Sequence, residues 1–307
     1  MFDVIIIGGG PAGLSAALVL ARCRRQLLLC DAGQPRNRRS SALHGFLSRD
    51  CVPPLELLRL GREELVAYGV QPRETTVTDL TRTGGGFEAT LDTGERVRSL
   101  MALIASGVRD HVPDIPGLDD CYGVSVHHCP YCDGWEHRDQ TLAVIGRGTS
   151  GAGLALSLKT WTPRVVLCTN GARNIRRADR QRLAGENIRI VTSFISRVEH
   201  DGPMVRAIAF TGGGVEKCDA IFFSTGQSQQ CDIPARLQCR MNRLGAVKTD
   251  SLGETHLPGL FVVGDASRDV QFAIVAAAEG AKAAVAINKA LQRLAGLAVA
   301  PRETDAA

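Results

Sequence analysis

The sequence predicts an α/β protein made of two strand–turn–helix units, the second inserted into the first, and three observations predict it. A short apolar run at Phe2–Ile7 leads into Gly8-Gly-Gly-Pro-Ala-Gly13. A second apolar run at Thr141–Ile145 leads into Gly146-Arg-Gly-Thr-Ser-Gly151. Between them, Val108–Gly117 holds Pro113 and Pro116 in a polar, extended segment suited to a linker, after which the pattern restarts. Together these give two Rossmann-like dinucleotide-binding domains.

Taken in order, Phe2–Ile7 has the near-continuous β-branched character of a buried parallel strand. Gly8–Gly13 makes the turn, Leu14–Cys23 a helix, and Gln26–Cys30 the next strand, ending on Asp31. This βαβ unit is the context a G-x-G-x-x-G match requires. Gly8, Gly10 and Gly13 allow a tight turn, close approach of backbone to a pyrophosphate, and close packing of helix on strand, while the helix N-terminus offers free N–H donors. Asp31 lies 23 residues after Gly8 (31 − 8), where an acid can hold a ribose hydroxyl. A helix at Leu55–Tyr68 and a strand at Thr75–Leu80 follow. Phe87–Leu91 and Arg96–Val97 flank a Thr-Gly turn as a hairpin, and Met101–Ala105 reads as a further buried strand.

In the second unit, Thr141–Ile145 is a strand, Ala152–Lys159 a helix, and Arg164–Cys168 and Ala220–Ser224 strands. A second crossing is expected near Arg240–Asp250. Gly259–Val263 then forms a strand ending in Gly264-Asp265, and Val270–Leu294 a long alanine-rich helix. The economical division gives residues 1–113 and 245–307 to a discontinuous first domain and 114–244 to the inserted one.

At 307 residues the chain is long enough for two cores, and 44% hydrophobic and 22% charged residues are ordinary for a soluble globular protein. The formal charge of +4 comes from scattered arginines with no nucleic-acid recognition motif. The early apolar run has strand-and-turn grammar with no basic stretch before it, so no signal peptide is expected. No uncharged run reaches the roughly eighteen residues of a membrane span. A cytoplasmic protein without membrane or nucleic-acid partners is the expectation. The tail Ala298–Ala307 has the composition of a disordered segment, the alternative being that it covers the cofactor site of one subunit.

Among ten cysteines only Cys129 and Cys132 stand at a chemically informative spacing; most of the others are expected to be small buried hydrophobes. The pair opens the segment Cys129-Pro-Tyr-Cys132-Asp133-Gly134, and Cys132 lies fourteen residues before Gly146 (146 − 132). A Cys-x-x-Cys ahead of a second nucleotide loop, in a chain that opens with its own, points to a disulfide fed by a flavin. A zinc site is the competing reading, with His127, His128 and His137 nearby, but adjacent histidines point apart in an extended chain and no second Cys pair offers itself. No metal is expected. His127 or His128 is an active-site neighbour or a packing residue. Gly264-Asp265 at a strand end is a second cofactor signal, either an acceptor for a flavin ribityl chain or an ordinary helix cap.

On these pieces, together with Ala105-Ser-Gly107, Ile115-Pro-Gly117, Ala143-Val-Ile-Gly146 and Gln271-Phe-Ala273, the chain resembles the low-molecular-weight thioredoxin reductase family over nearly its full length. The resemblance implies a homodimer with one FAD per chain, a mobile inserted domain, and an FAD-dependent disulfide oxidoreductase whose substrate is a thioredoxin-like protein or a small dithiol or disulfide. It implies that Cys132 faces the flavin, Cys129 attacks the substrate disulfide, and Asp133 is the acid/base. A thiolate is the reactive species, so an adjacent proton acceptor helps to form it. The implied cofactor-binding set is Gly8, Gly10, Pro11, Ala12, Gly13, Asp31, Ala32, Arg36, Asn37, Val77, Ala105, Ser106, Gly107, Gly264, Asp265, Gln271, Phe272 and Ala273. For a nicotinamide nucleotide, NADPH or NADH, it adds Gly146, Gly148, Thr149, Ser150 and Gly151.

Three departures stand out. Pro-Tyr replaces the family's small Ala-Thr between the cysteines. Leu167-Cys-Thr-Asn-Gly171 stands where NADPH-dependent members carry His-Arg-Arg. Arg173, Arg176 and Arg177 are either substitutes for that cluster or a solvated helix start. The second glycine loop is richer in glycine than the family's Gly-Gly-Gly-Asn-Ser-Ala. Electron sources other than NADPH therefore stay open: a ferredoxin-type donor, or a small dithiol oxidised at the expense of oxygen.

Overall fold

A computed structural model describes residues 1–267 and 270–297, so the expectation for the tail Ala298–Ala307 lies outside the described residues. The first sheet is built on a parallel centre. Leu27–Asp31, Phe2–Ile7, Arg96–Ile104 and Leu260–Val262 run side by side, with Val4 opposite Leu27 and Met101, and Phe261 opposite Leu103. Val77–Thr83 and Gly86–Leu91 extend it antiparallel, and Arg73–Glu74 caps its other edge. The helix Pro11–Arg22 starts with proline in its first turn and packs with Ala273–Leu294 on one face. The opposite face is covered by Leu80, Phe87, Leu91, Ile233, Cys239 and Val247.

The second sheet is wholly parallel, in the order Arg189–Val191, Val165–Cys168, Leu142–Gly146, Ala220–Ser224, Val126–His127. The helices Gly148–Leu158 and Arg177–Gly185 lie with one face's core. A three-stranded antiparallel sheet, Ile195–Asp201, Met204–Phe210 and Val215–Lys217, covers the other. The α/β class with two parallel nucleotide-type sheets is thus observed.

Three expectations shift. The hairpin strand at Arg96 and the buried strand at Met101 are one strand, Arg96–Ile104: its first half alternates exposed and buried and its second half is buried throughout. Backbone pairing does not break where the burial pattern changes. The antiparallel sheet over Ile195–Lys217 was not foreseen, since the exposed Arg197 and Asp201 and the half-buried Glu199 mask the apolar alternation. The return crossing also comes earlier than Arg240–Asp250. Val108–Asp110, expected as plain linker, pairs antiparallel with Gln227–Gln229, so both crossings run through one two-stranded ribbon. Beyond it Ile233, Cys239 and Val247 are already packed on the first sheet.

One close approach fixes the helix pair. A Cβ at Gly280 would lie 2.0 Å from Ala12 O, so Ala273–Leu294 touches the first turn of Pro11–Arg22 backbone to backbone. Gly280→Ala is expected to destabilise the protein by about 1–3 kcal/mol through overpacking, read as a lower denaturation midpoint in guanidinium. A midpoint equal to the parent's would show that the helices can part without loss.

Candidate active site

A cleft of about 1450 Å³, counting its open mouth, runs from the first glycine loop to the cysteine pair. One wall is Gly8–Ala12, Asp31, Ala105–Gly107, Gly264, Asp265 and Gln271–Ala273. The other carries Tyr122, His127, His128, Cys132 and Asp133. The glycine loop has the shape of a phosphate cradle. Gly8 has φ +109, and a Cβ on it would lie 2.4 Å from Ala105 O. One on Gly13 would lie 1.9 Å from Gly8 O, whereas Gly10 faces open space. The first and third glycines therefore press turn, strand and helix together, and the second leaves room for a diphosphate. These residues fit an FAD.

Of the residues expected to bind the cofactor, Arg36 and Asn37 also line the cleft, which brings most of the set together. Gly13 supports the loop from behind. Ala32 is exposed outside the lining, and Val77 is a core side chain, 5% exposed. Asp31 borders the cleft, but Arg62 holds its Oδ2 at 2.5 Å and Gly33 N–H donates to Oδ1 at 3.2 Å.

Arg36 is the hub of the cleft. It donates through Nε and Nη2 to both oxygens of Asp110 (2.8 and 2.5 Å), and through Nη1 to Asp265 Oδ2 (2.8 Å) and Gln271 Oε1 (2.7 Å). Nη2 also lies 3.0 Å from His128 Nε2. Burial alone would raise the Asp110 carboxyl, but the Arg36 hydrogen bonds and charge, with the Tyr122 hydroxyl, hold it below the usual range. Burial pushes His128 down, and the Arg36 charge adds to it against the pull of Asp110. A guanidinium can only donate, so neutral His128 accepts at Nε2 and carries its proton on Nδ1, 3.3 Å from the Tyr122 hydroxyl.

Cys129 and Cys132 form a disulfide with Cα atoms 5.3 Å apart. The one-turn helix Pro130–Asp133 begins at this pair, and Cys129 O accepts from the backbone of Cys132 and Asp133 at 3.2 and 3.3 Å. Cys132 borders the flavin cleft; Cys129 does not. Tyr131, between them, is 69% exposed and meets Trp161 edge-on. Asp133 Oδ1 lies 3.3 Å from His127 Nδ1. His127 was weighed in the sequence as a zinc ligand, a neighbour of the site or a packing residue, and its contact with Asp133 depends on where the strand Val126–His127 meets the turn.

The other cysteines divide. Cys30, Cys121, Cys168, Cys218 and Cys239 are buried, and burial pushes Cys30 to about 11 and Cys168 to about 12, leaving them protonated and inert. Most are thus buried as expected, with Cys231 half-buried and Cys23 and Cys51 exposed. Cys51 shares a loop with His44 and Asp50 whose ligand-type atoms lie within 4.8 Å of one another.

The second glycine loop is closed on itself. A Cβ on Gly146 would lie 2.7 Å from Gly151 Cα, Thr149 Oγ1 donates to Asp179 Oδ2 at 3.1 Å, and Ser150 is hydrogen-bonded to Ser224. Gly148 faces open space with φ +55. At the end of the next strand, Asn170 Oδ1 accepts from Ile195 N–H at 2.9 Å. The Phe194 ring sits 2.2 Å from where a Gly171 Cβ would be. Arg173, Arg176 and Arg177 are exposed.

Residues 2–280 match the family described as pyridine nucleotide-disulphide oxidoreductase. A protein of Arthroderma benhamiae described as a thioredoxin reductase is 29% identical over 301 residues, covering 87% of this chain and 74% of that one. Among solved structures, TrxB of Bacillus anthracis, described as a thioredoxin reductase, superposes with a TM-score of 0.91 at 30% identity, covering 96% of this chain and 100% of that one. An oxidoreductase from Agrobacterium tumefaciens gives 0.88 at 32% identity, covering 95% and 99%.

The neutral His128 carries a pH signature. Its folded value lies below the unfolded value of about 6.5, so the unfolded chain binds more protons in that interval. The associated stability is present above about pH 6.5 and is lost as pH falls through the folded value; His137, also held low by burial, adds in the same sense. The thermal midpoint is expected to fall between about pH 7.5 and 5.5, and His128→Gln to flatten that fall. An unchanged slope in His128→Gln would assign the loss elsewhere.

Proposed function

Because the chain belongs to the pyridine nucleotide-disulphide oxidoreductase family, as a flavin-dependent disulfide oxidoreductase of the thioredoxin-reductase type, we propose that it passes electrons between FAD and a disulfide or dithiol substrate through Cys129 and Cys132. The observation that carries this reading is the position of the pair: Cys132 and Asp133 form the wall of the cleft that faces the glycine cradle, while Tyr131 turns outward beside them. When bound, FAD supplies the two-electron, hydride-level chemistry.

Everything else in the cycle is thiol exchange by this chain's residues. With the pair reduced, the Cys129 thiolate attacks one sulfur of the substrate disulfide and the other leaves as a thiolate. Cys132 then attacks Cys129 Sγ of the mixed disulfide, which re-forms the Cys129–Cys132 bond and releases the second substrate thiolate. Two electrons have left the pair, and Asp133 holds the proton that Cys132 must lose. The substrate is a thioredoxin-like protein or a small disulfide. The unit between the ribbon strands would carry the pair, in a cytoplasmic homodimer.

A second reading has a specific observation behind it. Where the family resemblance calls for arginines gripping a 2′-phosphate, Asn170 is engaged with Ile195 and Phe194 covers Gly171. This arrangement leaves no grip for a 2′-phosphate, which speaks against NADPH; in this reading the electrons come from a dithiol. The dithiol would close to a disulfide, giving two electrons and two protons, and oxygen would accept them as hydrogen peroxide.

Cys129→Ser is expected to keep its flavin and lose substrate turnover by more than about a hundredfold; turnover at the parent rate would end the proposal. Anaerobic titration of the flavin absorbance separates the two directions. Bleaching by one equivalent of NADPH or NADH supports the reductase cycle. Bleaching by a dithiol alone, with peroxide formed on admitting air, supports the oxidase.

A further inference from the structure

Behind Asp133 stands a file of polar side chains that thiol exchange by itself does not require. Asp133 Oδ1 lies 3.3 Å from His127 Nδ1, His127 Nε2 2.9 Å from His137 Nε2, and His137 Nδ1 2.9 Å from Gln140 Oε1. The two histidines are 5% and 6% exposed and pack on the Phe222 ring, with centroids 5.4 and 6.3 Å away. Gln140 is half-buried, at the outer end.

The donor and acceptor chemistry along this file fixes its protons. With Gln140 presenting its carboxamide oxygen, which only accepts, His137 carries its proton on Nδ1. Burial, then the neighbouring His127, holds His137 below the ordinary histidine range and keeps it neutral. Its Nε2 is therefore a lone pair, and His127 must donate to it from its own Nε2. That leaves His127 Nδ1 facing a carboxylate oxygen. Two lone pairs at that distance repel, so a proton belongs between them. The other ionisable groups acting on the file are His128 on the flavin side and Glu136 beside His137.

We propose that Asp133 and His127 share one proton, and that this pair, not Asp133 alone, gives and takes back the thiol proton of the redox cysteines, with His137 and Gln140 fixing its place. Two-electron reduction of the disulfide leaves two thiolates. One takes the shared proton, and the pair becomes a carboxylate beside a neutral imidazole. That state sets lone pair against lone pair, so the pair reclaims the proton when Cys132 returns to the disulfide. His127 lines the cleft with Cys132 and Asp133, whereas His137 and Gln140 act only through it. The inference rests on Asp133 as the proton-handling residue.

The test is the pH profile of flavin reduction by dithiothreitol, followed anaerobically by stopped flow in the FAD-loaded protein. His127→Asn keeps a polar atom near Asp133 but cannot hold the proton. The ionisation that controls the rate should then move down by more than about one pH unit and the plateau rate fall about tenfold, as for a weaker base. His137→Gln should shift it in the same direction by less. A wild-type profile in His127→Asn overturns the inference, while a wild-type rate in Asp133→Asn removes the assignment beneath it. Nitrogen-15 NMR of the unsubstituted oxidised protein reads the same point without relying on a variant's folding. His127 must carry a proton on Nε2; a His127 protonated at Nδ1 alone overturns the proposal.

Discussion

The Arg36–Asp110 pair is the interaction on which the site's geometry depends. Asp110 ends the outgoing strand of the crossover ribbon, and Arg36 follows the second strand of the first nucleotide unit. Their two parallel hydrogen bonds set the plane of the guanidinium, and its remaining donors reach Asp265, Gln271 and His128. One side chain thus ties the flavin wall, the crossover and the residue before Cys129 into a single network. A half-buried guanidinium with five fixed donors can do this; an ammonium on a flexible stem would not hold the same plane. Removing Asp110 would leave a buried cation short of an acceptor, which is far more damaging than losing a surface pair.

This network also explains the state of His128. In water a histidine beside an aspartate would gain a proton readily, yet here the guanidinium already satisfies Asp110 and occupies His128 Nε2. The imidazole is left neutral and oriented, its Nδ1 proton directed to Tyr122. The histidines on either side of that strand end therefore do different things. His128 belongs to the flavin cleft's charge network, and His127 to the file behind the acid.

Much of this was legible in the sequence because it rests on short local patterns. The strand Phe2–Ile7 and its turn announce themselves, since a buried parallel strand must be apolar and the turn must be glycine. The cysteine pair, Asp133 and Gly264-Asp265 are equally local. What could not be read there are contacts set by distant segments. Arg36 meeting Asp110 spans 74 positions, and Arg36 meeting Asp265 spans 229. Gly280, which looks like an unremarkable break in an alanine-rich helix, is required by Ala12 far away in the chain. Val77 has the residue type of a pocket wall, but its place on a hairpin strand turns it into the core. The alternation of Ile195–Phe210 was obscured by charges on its outer face, and the ribbon at Val108 was hidden by a proline-rich neighbour.

The ribbon has a mechanical meaning beyond marking where the chain crosses. Val108–Asp110 and Gln227–Gln229 are bonded to each other along their length, so the polypeptide leaves and re-enters by one strap, not by two separate tethers. Any turning of one sheet relative to the other has to be taken up by this strap. The twist between neighbouring strands is larger in a two-stranded ribbon than within a wide sheet. Such ribbons resist being sheared, because shear breaks the backbone bonds between the strands. A rotation that only twists the strap keeps its three residue pairs bonded, whereas one that shears it does not.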